Sequence, residues 1–152
     1  AEVLVGISYG RKNLYDFRRS VLLCTKWAAI TALFLSLFIF FFGSNLIGFM
    51  TTSIEVESLA DDYLIWIILA PIVSFLAYIM DGIFLGSTHT VSMRKAMIMS
   101  TLIYFAVAIV MSSAFHNHGL WISLSLFLIV RALTLFYYYP NIERSVSDIR
   151  YS

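Results

Sequence analysis

The sequence predicts an all-α integral membrane protein with four transmembrane helices and the end of a preceding one. Hydrophobic residues make up 61% of the 152 residues and charged residues only 12%, with a mean hydropathy of +0.88. A soluble domain of this size cannot cover so much apolar surface, so lipid is the expected solvent. The charges also fall between long uncharged segments, as they do in multi-pass membrane proteins.

Four segments are long enough to cross a hydrocarbon core of about 30 Å as helices that rise about 1.5 Å per residue. Apart from Asp81 near the end of the second segment, only the last contains a charge, Arg131, and Pro140 is expected to end it. In chain order, we expect the end of a preceding transmembrane helix (1–10), a basic loop (11–26), a transmembrane helix (27–50), an acidic extracytoplasmic loop (51–62), a transmembrane helix (63–86), a loop (87–95), a transmembrane helix (96–115), a turn (116–119), a transmembrane helix (120–139) and a polar tail (140–152).

The distribution of Lys and Arg predicts the orientation of these segments. The stretches between spans contain five, none, two, none and two basic residues in chain order. Basic loops of membrane proteins face the cytoplasm. We therefore expect a multi-pass protein of the cytoplasmic (inner) membrane with a cytoplasmic C-terminus.

Asp81 is the first candidate site residue, because a helix that continues to Gly86 places its carboxylate about 7 Å inside the helix end. Ser74, Tyr78 and Asp81 are spaced by four and three residues and are expected to share one helix face. Polar groups inside a membrane face protein or a water-filled cavity. This stripe is either an ion- or substrate-responsive path or, for Asp81, a helix-end carboxylate that holds the following loop in shape.

Arg131 is the second candidate, because it lies eight residues before Tyr139 and so about 12 Å from the end of its helix. Helical side chains lean toward the helix N-terminus, which here points deeper into the membrane, so the guanidinium does not easily reach the surface. An acidic or carbonyl partner is expected instead. Asp81 lies at a comparable depth, and we hypothesise that Asp81 and Arg131 pair.

Other reactive residue types do not form a recognisable site. His116 and His118 flank one residue of a short turn and lack a third ligand, so they are interpreted as interfacial residues rather than a metal site. His89 is interpreted as a solvated loop residue, and the single Cys24 excludes an internal disulfide. No nucleophile and base, no paired carboxylates and no phosphate-binding glycine loop are present, so neither catalysis nor a cofactor is expected.

Two segments carry a family resemblance. Residues 1–13, AEVLVGISYGRKN, place Gly6 and Gly10 four apart, which favours close helix approach, directly before basic residues. Residues 81–97, DGIFLGSTHTVSMRKAM, join two spans. Both resemble the multidrug and toxic compound extrusion (MATE) transporters, in the branch of DNA-damage-inducible F-type proteins.

The resemblance implies that the chain is the C-terminal third of a twelve-helix protein, within its six-helix C-terminal lobe. It implies a secondary antiporter that exports organic, often cationic, amphipathic compounds in exchange for H⁺ or Na⁺ by alternating access. Its partners are then the lipid bilayer, the remaining helices of the same transporter and small-molecule substrates, with no nucleic acid. Tyr78 and Asp81 are similar to a tyrosine and an aspartate that help bind a cation in another branch, although their spacing differs.

Two alternatives remain open. One is a small self-contained four-helix exporter, and the other is a non-transporting membrane scaffold or assembly subunit. The first usually relies on an acid inside its first span, and residues 27–50 contain none. The second explains the low polar content of the spans.

Overall fold

The computed structural model describes residues 1–51 and 53–148, and within them the chain is helical throughout except for short turns. The four helices are α1 (Glu2–Gly10), α2 (Leu14–Met50), α3 (Ile54–Gly86) and α4 (Thr90–Asp148). Three of them, α2, α3 and α4, are long and apolar enough to cross a membrane. The predicted all-α membrane fold is confirmed.

Helix α4 is broken at His116, where φ is 50° and ψ is −127°. We call residues 90–115 its first arm and residues 117–148 its second arm. The arms fold back on each other, since the rings of Tyr104 and Phe127 lie 6.0 Å apart. The backbone of Gly119 approaches the Met111 carbonyl so closely that a side chain has no room there. The two arms account for the last two predicted spans.

The helices are longer than the uncharged spans, so the connecting turns are shorter than predicted. Helix α2 begins at Leu14 inside the predicted basic loop, where the Asn13 side chain accepts the Tyr15 and Asp16 amides at 3.0 and 3.4 Å. Helix α3 begins at Ile54, which places most of the predicted acidic loop in its first turns. Hydrophobicity marks the part of a helix in lipid, but capping and the helix dipole let it extend into water.

The prediction that the last helix ends at Pro140 is wrong, because α4 continues through Pro140 to Asp148. Proline removes one helical hydrogen bond at this point. The next two turns, however, bury Ile142 and Val146 almost completely against the core. Burial of two aliphatic side chains offsets the lost hydrogen bond. Arg150 and the rest of the predicted tail beyond Asp148 lie outside the described residues.

Specific contacts define how the helices run. Helices α2 and α3 are antiparallel, with the Ser36 hydroxyl donating to the Ile68 carbonyl at 2.6 Å. Helix α3 and the second arm run in the same direction, because Trp66 contacts His118 and Asp81 contacts Arg131. The two contacts are 15 residues apart on α3 and 13 residues apart on the second arm, so the two helices stay in register.

The buried core lies at one end of the bundle, which we call the basic end. This end contains the α1–α2 turn, the α3–α4 turn and the last turns of α4. Its core residues are Val5, Phe17, Ile79, Met80, Ile83, Phe84, Ala96, Leu135, Ile142 and Val146. Toward the opposite end, most large apolar side chains of the spans are exposed, as expected where lipid or further helices cover them.

Helix α1 packs against the end of α3 through glycine. Gly6 faces Gly86, and a Cβ on Gly6 would lie 3.2 Å from the Gly86 carbonyl oxygen. The expected close approach is therefore confirmed at Gly6. At Gly10 it is wrong, because no atom lies within 4 Å of a Cβ there.

We predict that Gly86→Ala destabilises the protein, since the new Cβ would lie 2.5 Å from the Glu2 carbonyl oxygen and force α1 outward. Overpacking of this kind costs about 1–3 kcal/mol. The melting temperature of the detergent-purified protein measures the effect. Gly10→Ala is the matched control and should be neutral or stabilising, because it removes glycine entropy without a clash. Equal changes in both variants would contradict the packing.

Candidate functional site

The candidate site is an ion pair between α3 and the second arm of α4. The Arg131 Nε donates to Asp81 Oδ1 at 3.1 Å, and Nη2 lies 3.0 Å from Oδ2. Two parallel contacts make this a bidentate arginine–carboxylate pair, the strongest geometry for such charges. The side chains are only 12% and 19% exposed, respectively. The hypothesised pairing of Asp81 with Arg131 is thus present in the structure.

The surroundings of Arg131 explain why its guanidinium stays inside. Its Cζ lies 6.0 Å from the centre of the Phe127 ring, one helical turn earlier, which adds a cation–π contact. Ala132 and Ala77, beside the pair on the two helices, are buried and small. Small side chains let the helices approach closely enough for direct charge contact.

The pair is a constraint on folding as well as a candidate site. Each charge alone is costly at this depth, whereas the pair is neutral overall and mutually hydrogen-bonded. Removing one partner leaves an uncompensated buried charge, at a cost of about 3–5 kcal/mol. The two interpretations of Asp81, as a structural carboxylate at a helix end and as an ion-responsive residue, are therefore compatible.

The structure separates Ser74 and Tyr78 from this pair. Both line a groove of about 760 Å³ between α1, α2 and α3, which we call the α2–α3 groove, and Asp81 does not. Tyr78 is 65% exposed, and the Ser74 hydroxyl makes only a long contact of 3.5 Å with the Pro71 carbonyl. Positions three apart on a helix differ by about 60° in direction, enough to face different neighbours. The predicted common face therefore holds for Ser74 and Tyr78 alone.

The α2–α3 groove is apolar with few polar groups. Thr31 from α2 and Ser74 and Tyr78 from α3 are the hydroxyl groups in its lining, and Glu2 lies at its edge. The remaining lining is aliphatic, alanine or aromatic. A surface of this kind suits an apolar body with one or two polar or cationic groups.

A hydrogen-bond cluster at the basic end was not predicted from the sequence. The hydroxyl of Tyr9 lies 3.2 Å from Ser145 Oγ and 3.4 Å from His89 Nε2, and His89 Nε2 lies 3.0 Å from Ser145 Oγ. The interpretation of His89 as a solvated loop residue is wrong, because it is half-buried and burial lowers its pKa below 6.5. Tyr9 and Ser145 lie 80 and 56 residues from His89 in the sequence, so no local sequence pattern indicates these contacts.

A second ion pair closes the same end. Arg18 donates through Nε and Nη2 to the two carboxylate oxygens of Glu143, both at 2.8 Å. The hydrogen bonds from Arg18 lower the pKa of Glu143 below its usual 4.5. Unlike the inner pair, the Arg18 side chain is 60% exposed. This pair ties the beginning of α2 to the end of α4.

The histidines at the opposite end join helices. The Trp66 indole donates to His118 Nδ1 at 3.0 Å, and the Tyr63 ring lies 4.7 Å from the His118 ring. Within residues 1–51 and 53–148, no group of three metal-binding side chains lies close enough to hold an ion. His116 provides the backbone break in α4.

We predict that Asp81→Arg and Arg131→Asp each impair folding, and that the double variant restores it. Each single change places like charges together inside the membrane, whereas the swap re-forms the pair. The yield of monodisperse protein and its melting temperature measure the effect. Glu143→Gln is the control, because the solvent-exposed Arg18–Glu143 pair contributes at most about 1 kcal/mol. Failure of the double variant to recover would contradict a stabilising pair.

We predict that acid weakens the basic end in two steps. The unfolded chain protonates His89 near pH 6.5, above the pKa of the folded chain, so stability falls as the pH drops below that value. Glu143 also has a lowered pKa when folded, so its contribution is lost further down, below pH 4.5. Amide exchange in the α1–α2 turn across this range measures both steps. His89→Gln should remove the upper step and Glu143→Gln the lower, while His118→Gln removes neither; any other assignment contradicts the cluster.

Comparison with known proteins places the chain in a family. The MatE family model matches residues 1–110, which is most of the chain. DNA damage-inducible protein F of Escherichia coli (strain K12) is 32% identical over 133 residues, which cover 86% of this chain and 28% of that protein. The chain therefore spans less than a third of the length of this relative. No solved structure matches.

The predicted resemblance is thereby confirmed. With long apolar helices that meet lipid, the chain is part of a multi-pass integral membrane protein. It belongs to the MatE (MATE) family.

Proposed function

We propose that the chain forms part of a secondary antiporter that exports organic, often cationic, amphipathic compounds in exchange for H⁺ or Na⁺. The observation that carries the proposal is the MatE match over residues 1–110. The α2–α3 groove supports it, because its apolar walls and few hydroxyls suit amphipathic cations. No catalytic role is proposed.

The basic end is proposed to face the cytoplasm of a cell whose inner membrane holds the protein. The alternation of basic and base-free turns supports this orientation. The last turns of α4 then lie on the cytoplasmic side. The exposed apolar faces of the spans meet lipid, the remaining helices of the transporter and, in the groove, substrate.

Transport is proposed to occur by alternating access, with this chain moving largely as one unit. The contact of Trp66 with His118 at one end of the bundle and that of His89 with Ser145 at the basic end support such rigidity. Pro71 lies inside α3, where the missing hydrogen bond gives local compliance. Rigid-body rocking of repeats or bundles about such points is the usual mode in secondary transporters.

Asp81 and Arg131 are proposed to couple ion binding to this movement. Protonation of the Asp81 carboxylate, or contact with a cation, would weaken its hold on Arg131 and alter the packing of α3 on α4. An ion shifts the populations of the inward- and outward-open states only if it favours one of them. Tyr78 and Ser74 are proposed to contact substrate in the α2–α3 groove, which Asp81 does not line.

We predict that the complete protein exports a fluorescent organic cation such as ethidium only while an ion gradient exists. Cells or vesicles should lose export when both the proton and sodium gradients are collapsed. The Asp81→Arg, Arg131→Asp double variant should fold yet export poorly, since it keeps the pair but moves the acid to the other helix. Lys95→Gln, which changes an exposed residue in the second turn of α4, is the control. Export that survives collapse of both gradients would refute the antiporter, and absence of export would favour a scaffold.

A further inference from the structure

A second groove lies between α2, α3 and the second arm of α4, at the basic end. Its volume is about 600 Å³, and we call it the α2–α4 groove. Its walls are apolar, formed mainly by Phe75, Leu76 and Met80 of α3 and by Phe136 of the second arm. None of the candidate site residues lines it.

The groove is open at the surface of the described chain. Large apolar side chains remain exposed around it, with Leu22 at 54% and Phe136 at 62%. Water does not favour such surface, and a soluble polar ligand gains little from it. A hydrocarbon chain of a lipid matches it.

Two basic side chains of α2 line this groove. Arg18 and Lys26 both line it, and they are eight residues apart on a face shared with Val21, Leu22, Thr25 and Ala29. Arg18 uses two of its five donors on Glu143. Lys26 is exposed and has no ion-pair partner among the side chains that the structure describes.

Arg18 and Lys26 lie at different levels along α2. Their Cα atoms are separated by about 12 Å along the helix axis. Side chains lean toward the helix N-terminus, which for α2 is the basic end. The long Lys26 side chain therefore extends toward the basic end, as snorkelling lysines do near a membrane surface, and Arg18 leans the same way. Acyl-chain and phosphate contacts are thus available side by side.

We propose that the α2–α4 groove binds an anionic phospholipid from the adjoining leaflet. Its phosphate contacts Lys26, Arg18 adds positive charge nearer the basic end, and an acyl chain lies against Leu76, Met80 and Phe136. Basic pockets between transmembrane helices are a recognised chemistry for anionic headgroups. The five basic residues against one acid in residues 11–26 add charge complementarity. The bound lipid bridges α2 to the second arm, alongside the Arg18–Glu143 pair.

Lipid-dependent stabilisation of the complete protein in nanodiscs or detergent tests this assignment. Phosphatidylglycerol should raise the melting temperature saturably, whereas phosphatidylcholine and water-soluble glycerol 3-phosphate should not. Lys26→Gln should weaken the half-saturating phosphatidylglycerol fraction about fivefold, the effect expected from one lysine near an anionic surface. Lys95→Gln is the matched control, because it removes an exposed lysine from the same end that lines neither the α2–α3 nor the α2–α4 groove.

A second variant tests the apolar wall. Ala29→Phe places a ring in the groove and should abolish the phosphatidylglycerol effect while the protein still folds.

Equal weakening by Lys26→Gln and Lys95→Gln would show diffuse attraction and overturn the site. An equal response to phosphatidylcholine would overturn the headgroup assignment. Misfolding of Ala29→Phe together with an unchanged lipid response in Lys26→Gln would show that a protein helix fills the groove. None of these readouts depends on transport, so failure here leaves the antiporter proposal intact.

Discussion

The two-point contact between Asp81 and Arg131 is the interaction on which the middle of the bundle depends. Lipid offers no water to either charge, so each must find its partner within the protein. Since the two residues belong to different helices, satisfying the charges also sets the register between α3 and the second arm of α4. The same contact that makes the pair a candidate coupling site is therefore a structural requirement.

Polar contacts at the basic end add to the stability that the inner pair provides. At the basic end, Tyr9, His89 and Ser145 form a cluster of three groups, and Arg18 joins Glu143 nearby. These contacts are partly solvated and add little stability individually, and those of His89 and Glu143 weaken in acid. The inner pair is sheltered and stronger.

The charge pattern and the span lengths were sufficient to predict most of the architecture. Long uncharged stretches indicate helices in lipid whatever their partners, because the backbone must satisfy itself there. Helix ends were less predictable. Residues 54–62 and 140–148 were predicted as loop and tail, yet they continue the helices. Acidic residues in the first turn of α3 suit the helix dipole, and buried Ile142 and Val146 hold the last turns of α4. The pairing of Asp81 with Arg131 was accessible from their depths, which the helical rise provides.

By itself, the sequence determined the solvent, the number of the spans, the family resemblance and the two charges that cannot face lipid. These follow from composition and from one-dimensional spacing. Only the tertiary structure decided that Ser74 and Tyr78 face a groove away from Asp81, that His89 is joined to Tyr9 and Ser145, and that Arg18 and Lys26 flank an apolar cleft. The reason is physical: helical periodicity defines a face only to within tens of degrees, and the packing of neighbouring helices decides what each face meets.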